Sequence, residues 1–78
     1  MNMQHNIESI QFEKDKLVIK VDGQIIILKI TDISSKLAIA SEKEKNNFQI
    51  TPSGYGIHWP LIDEDLSING LMRKNNVA

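Results

Sequence analysis

Lys16-Leu17-Val18-Ile19-Lys20-Val21-Asp22-Gly23-Gln24-Ile25-Ile26-Ile27-Leu28 is the stretch on which the fold of this chain turns. Two runs rich in β-branched residues flank Asp22-Gly23, a pair suited to a two-residue type I′ turn because both central positions of that turn need φ > 0. Strands are therefore expected over 16–21 and 24–30, with Val21 opposite Gln24, Ile19 opposite Ile26 and Leu17 opposite Leu28. Upstream, residues 7–13 alternate, with Ile10 and Phe12 on one side and Ser9 and Gln11 on the other. Lys14-Asp15 makes a second two-residue turn and sets Phe12 opposite Leu17 and Ile10 opposite Ile19. Two independent turns thus place Ile10, Phe12, Leu17, Ile19, Val21, Ile26 and Leu28 on one face of a three-stranded meander. A slip of one residue would scatter that set.

The reverse face of the meander carries Val18, Ile25 and Ile27 among Lys16, Lys20 and Lys29. Folded proteins expose much apolar area, and strands favour branched residues whatever they face, so an ordinary wet face is the plainer reading. The same three side chains also suit a docking surface, for a partner or for a second copy of the chain.

Downstream, Thr31 or Asp32 is suited to cap a helix whose Ile33, Leu37 and Ala40 recur at helical spacing and lie over the sheet. Ser41-Glu42-Lys43-Glu44 has the pattern of a capping box and predicts a fresh helical turn over 42–46. The charged run 42–45 reads as its solvated side. Phe48-Gln49-Ile50-Thr51 is a fourth strand with Phe48 and Ile50 inward. Pro52 to Gly56 is a turn whose glycines supply φ > 0, and Ile57-His58-Trp59 is the returning strand, with Ile57 and Trp59 in the core and His58 outward. Pro60 ends the ladder. Asp63-Glu64-Asp65 reads as a turn toward Leu66. Ser67 is placed to cap a last helix holding Ile68, Leu71 and Met72, with Arg73 and Lys74 where the helix dipole favours cations. The expectation is an α+β domain: a three-stranded antiparallel meander, a second β-hairpin, one main helix on the sheet and a short C-terminal helix.

The 78 residues allow a single domain over 1–78, with 1–6 and 75–78 expected to be loose. There is no Cys, so neither disulfides nor thiolate metal sites support so small a core, which fits a reducing cytoplasm. Nine basic and ten acidic residues, spread along the chain, give a net charge of −1 and no basic stripe for a phosphate backbone. The longest apolar run, Ile25 to Leu28, is too short to cross a bilayer, and the first residues lack the pattern of a signal peptide. Direct nucleic-acid binding and membrane insertion are therefore not expected, and the chain is expected to be cytoplasmic.

Catalytic constellations are scarce. Nucleophilic catalysis lacks a Cys, no Ser lies in an elbow or triad pattern, and Gly54-Tyr55-Gly56 lies in a hairpin rather than opening a helix after a strand. His58 with Asp63, Glu64 and Asp65 is the one cluster that could bind a metal or exchange protons, as a hydrolase or nuclease would. EF-hand spacing is missing, however, and a lone His makes no zinc set. Asp63 and Asp65 are suited to accept turn N–H groups, with Glu64 left in water, and His58 to pair with a neighbouring carboxylate. Trp59 reads as core, and Tyr55 at the hairpin tip as either a binding anchor or a packing residue.

The string from Phe48 to Leu71, with Gly54-Tyr55-Gly56-Ile57-His58-Trp59-Pro60 and Asp63-Glu64-Asp65-Leu66-Ser67 at its centre, resembles the C-terminal signature of a bacterial family, domain of unknown function 2442. Ser35-Lys36-Leu37 to Phe48 is similar too, and the Asp22-Gly23 strands fit the family layout. The resemblance implies a compact α+β domain without assigned catalytic residues or cofactors. It also implies a setting beside a second small protein, of the domain of unknown function 4160 family, as in a toxin–antitoxin-like pair. The expected function is a non-catalytic protein-interaction domain, with Tyr55, His58, Asp63, Glu64 and Asp65 as candidate binding residues and Val18, Ile25 and Ile27 as a candidate interface. The alternatives are a metal-dependent hydrolase using His58, Asp63 and Asp65, and a homodimeric structural protein.

Overall fold

Asp22 and Gly23 both have positive φ (52° and 79°), the backbone that a type I′ hairpin demands. The strands β1 (Ile7–Glu13), β2 (Lys16–Val21) and β3 (Gln24–Lys29) form an antiparallel sheet in that order. Every expected pair is present: Phe12 with Leu17, Ile10 with Ile19, Leu17 with Leu28, Ile19 with Ile26 and Val21 with Gln24. The one irregularity is a register shift between Ile7 and Ser9. The computed structural model describes residues 5–75, the side chain of Ser53 excepted. The loose ends expected at 1–4 and 76–78 lie outside that range.

The segment after β3 departs from a single main helix. Helix α1 (Ile30–Ile33) begins directly after Lys29 with no side-chain cap, so neither Thr31 nor Asp32 starts it. Ile30, expected to end the third strand, is instead a buried helical residue. Ser34 then adopts an extended backbone (φ −163°, ψ 116°) and caps α2 (Ser35–Ala38), its Oγ accepting from the Leu37 N–H at 3.1 Å. A serine able to bond its own backbone competes with the helical ladder, which is why the apolar spacing of Ile33 and Leu37 does not make one rod. The capping box at Ser41 and Glu44 forms as expected and starts α3 (Glu42–Asn46).

The second half closes on itself as a sheet in the order β4 (Gln49–Ile50), β5 (Gly56–Trp59), β6 (Glu64–Ser67). The expected hairpin is therefore the first two strands of three. Its connection holds a single 3₁₀ turn, Pro52–Gly54, where Gly54 has φ +67°. Gly56 has a different reason to be glycine: a Cβ there would lie 2.7 Å from the Leu66 carbonyl oxygen across the β5–β6 pair. Asp63, at φ 52°, turns the chain into β6. The last helix, α4 (Ile68–Asn75), starts where expected, with the Ser67 Oγ accepting from the Gly70 N–H at 2.9 Å.

The two sheets and the helices enclose one core of Leu17, Ile19, Val21, Ile26, Ile30, Leu37, Ile57, Trp59, Ile68 and Leu71, with Ile10, Phe12, Leu28 and Phe48 packed against it. Ile50 is a correction. It lies on the same side of the sheet as Ile57, but β4 is a two-residue edge strand and leaves it 45 % exposed. Trp59 has no exposed surface; Phe12 meets it edge-on and Phe48 at a tilt, both with centroids 6.4 Å away. Its indole N–H donates to the Lys45 carbonyl at 2.9 Å, and the Lys45 ammonium lies 5.7 Å from the centre of the Phe12 ring. The charged helix α3 is thus docked through Lys45 rather than solvated throughout.

Replacing this indole empties the largest fully buried site in the chain. Trp59→Ala is expected to cost about 3–5 kcal/mol, comparable with the whole stability of a domain this small. Urea titration followed by far-UV circular dichroism should find it largely unfolded without denaturant; a midpoint near that of the parent would contradict this packing.

Candidate functional site

Three places carry chemistry. The first is the outer face of the second sheet, where β-pairing sets His58 against Asp65 and Nδ1 lies 2.7 Å from a carboxylate oxygen. Beside them Thr51, Tyr55, Gly56, Asp65, Leu66 and Ser67 line an open hollow of about 360 Å³. Tyr55, 52 % exposed, forms one wall. Of the five candidate binding residues, Tyr55 and Asp65 share this hollow and His58 joins through Asp65.

Glu64 and Asp63 go elsewhere. Successive strand residues face opposite ways, so Glu64 turns inward where Asp65 turns out. Its carboxylate accepts from the Ser34 hydroxyl at 2.5 Å and from the Asp65 N–H at 3.0 Å. Glu64, expected in water, is half-buried and ties β6 to the break between α1 and α2. Asp63 contributes its carbonyl, which accepts from the Lys36 ammonium at 2.8 Å. Among the described residues no three His, Asp or Glu side chains are placed together to hold a metal ion.

The second place is the outer face of the first sheet. Ile25 is 62 % and Ile27 54 % exposed, and Val18, half-buried, pairs with Ile27. Lys16 and Lys29 sit opposite each other at one end of this patch, and Lys20 pairs with Ile25 at the other. A hollow of about 380 Å³ opens beside Val18 and Ile27, rimmed by Glu13, Lys14, Asp15 and Lys16.

The third place pairs residues far apart in sequence, so neither periodicity nor spacing points to it. The His5 ring, 13 % exposed, has Nδ1 2.7 Å from an Asp22 carboxylate oxygen and Nε2 2.7 Å from the Asn69 side-chain oxygen. The other Asp22 oxygen accepts from the Asn6 N–H at 2.7 Å, and the Asn6 carbonyl accepts from the Asp22 N–H at 2.9 Å. The hydrogen bond to Asp22, then that to Asn69, raises the His5 pKa above its ordinary value. The Asn6 N–H, then His5, holds the Asp22 carboxyl below its ordinary value. His5 and Asn6, expected to be loose, are therefore anchored.

The architecture is that of a small α+β domain with two three-stranded antiparallel sheets, and no helix of the described residues is long and apolar enough to cross a membrane. The model of a family described as "Protein of unknown function (DUF2442)" matches residues 7–76, and the chain belongs to that family. Two solved structures share the fold. A protein of unknown function from Rhodospirillum rubrum superposes with a TM-score of 0.72 at 22 % identity, covering 96 % of this chain and 93 % of that one. An uncharacterised protein from Chromobacterium violaceum, solved by NMR, gives 0.70 at 20 % identity, covering 94 % of this chain and 69 % of that one. No curated protein matches.

The geometry ranks the acids of the Asp63-Glu64-Asp65 run. Ser34→Ala removes both the cap of α2 and the hydroxyl donor of a half-buried carboxylate, and is expected to cost about 1–2 kcal/mol. Asp65→Asn, at an exposed pair, should cost less than about 1 kcal/mol. Thermal unfolding of the two variants at pH 7 checks the order; a larger loss for Asp65→Asn would make Asp65, and not Ser34, the structural tie.

Proposed function

We propose that this chain is a non-catalytic protein-interaction domain that docks a second small protein on the outer face of its first sheet, as one half of a toxin–antitoxin-like pair. The supporting observation is the exposure of Ile25 and Ile27 beside Val18, an apolar patch bounded by lysines. Apolar centres ringed by polar groups are the usual anatomy of a docking surface. The hollow beside Val18 and Ile27 offers a recess for an apolar anchor from the partner. The family resemblance supplies the partner to try first, a domain of unknown function 4160 protein.

Co-expression of that protein with the tagged chain tests the reading. The parent is expected to retain it, and the Ile25→Lys, Ile27→Lys double variant to lose it while keeping the parent's circular dichroism, since both side chains lie outside the core. Sedimentation of the parent alone separates the other occupant: a dimer reduced to monomer by the double variant would make the partner a second copy. A monomer that ignores the co-expressed protein would sink the proposal.

A further inference from the structure

We propose that His5 is a pH-operated clasp: as the imidazolium it fastens His5 and Asn6 to the Asp22-Gly23 turn and to the start of α4, and on losing its proton it loosens that attachment. The geometry suits the cation. Both ring nitrogens face oxygen atoms at 2.7 Å, one from Asp22 and one from Asn69. In this arrangement the imidazolium donates to both oxygens, whereas the neutral ring has a single N–H, which serves Asp22, and keeps the second contact only by the Asn69 amide turning its NH2 toward Nε2. The backbone is built to the same end, through the reciprocal bonds between Asn6 and Asp22. Gly54 packs so closely on the His5 carbonyl that a Cβ there would collide with it. One residue therefore meets the turn of the first sheet and the helix after the second through its side chain, and the connection inside the second through its backbone carbonyl.

The charged surroundings are few. From the β2–β3 turn, Asp22 touches the ring itself. From β1, Glu8 reaches the same turn, accepting from the Gly23 N–H at 3.1 Å and standing 3.6 Å from the Lys20 ammonium. From α4 the contact is the uncharged Asn69, and from the Pro52–Gly54 turn it is backbone. A histidine whose folded pKa is raised contributes stability in full below its unfolded value, about 6.5, and loses it as pH rises through the folded value. Asp22, lowered, contributes above its unfolded value of 3.8 and loses its part as pH falls through the folded one. The clasp is tightest between those two limits and opens on the alkaline side.

NMR titration of the His5 ring, assigned by its absence in His5→Gln, measures this directly. The parent is expected to titrate above 6.5 and Asp22→Asn to fall back toward 6.5; asparagine is at home at positive φ, so the turn survives. Asn69→Ala, which leaves the turn untouched, should lower the value as well. Each unit between parent and variant corresponds to about a tenfold preference of the closed state for the imidazolium. Hydrogen exchange at the backbone N–H of position 22, corrected for intrinsic rate, should quicken in the parent as pH passes the His5 value and stay flat in Asp22→Asn. A parent value at or below 6.5, or position-22 protection that ignores pH, would overturn the clasp.

Discussion

Trp59 is the constraint on which the two halves of the molecule jointly depend. A 78-residue chain without cysteine has little core to spare, and one indole fills the space where the sheets and α3 meet. It stands at the end of β5, and Pro60 follows it, so the ladder stops there. Phe12 reaches it from β1 and Phe48 from the approach to β4. The Lys45 carbonyl takes its N–H, and among the described residues no buried side-chain donor is left orphaned. A helix as polar as Glu-Lys-Glu-Lys-Asn has no apolar stripe with which to pack. It stays in place because the Lys45 ammonium stands over the Phe12 ring while the Lys45 carbonyl serves the indole.

The first half of the fold was readable because its information is local. Asp22-Gly23 fixes a turn, the turn fixes a register, and the register sorts each side chain to a face. The second half depends on partners distant in sequence. Asp63-Glu64-Asp65 reads as a turn and Ser67 as a helix cap, yet Glu64 to Ser67 pair along β5 as β6, although Glu64 and Asp65 are residues that strands disfavour. Its acids are tolerated because each finds a partner, Glu64 at Ser34 and Asp65 at His58. The same Ser34 breaks the helix that Ile33 and Leu37 suggest. Ser34 thus takes part in both departures, capping α2 through the Leu37 N–H and donating to Glu64 across thirty residues.

The candidate site divides along the same line. That His58 would lean on a nearby carboxylate is implied by an outward histidine followed by acids, and Asp65 is that carboxylate. Which acid turns inward depends on strand parity, and the parity of 63–65 is set only once β6 exists. His5 gives no local signal at all, since its partners lie 17 and 64 residues away. Polar residues near a chain end read as fraying unless tertiary contacts tie them down.

The exposed isoleucines of β3 lie outside the core. β3 is an edge strand that carries apolar residues on both faces, a pattern associated with strands covered on both sides. Ile26 belongs to the core and Leu28 packs against it; Ile25 and Ile27 point away from it. Strand propensity does not call for isoleucine at these two positions, since threonine is also favoured in strands and would leave the outer face polar. An exposed apolar edge invites unwanted pairing, and Lys16, Lys20 and Lys29 on the same face are the kind of charge that discourages it. Surfaces greasy at the centre and guarded at the rim suit a fitted partner better than indiscriminate ones, and on that general ground the proposed docking is placed on the outer face of the first sheet rather than in the hollow beside Tyr55.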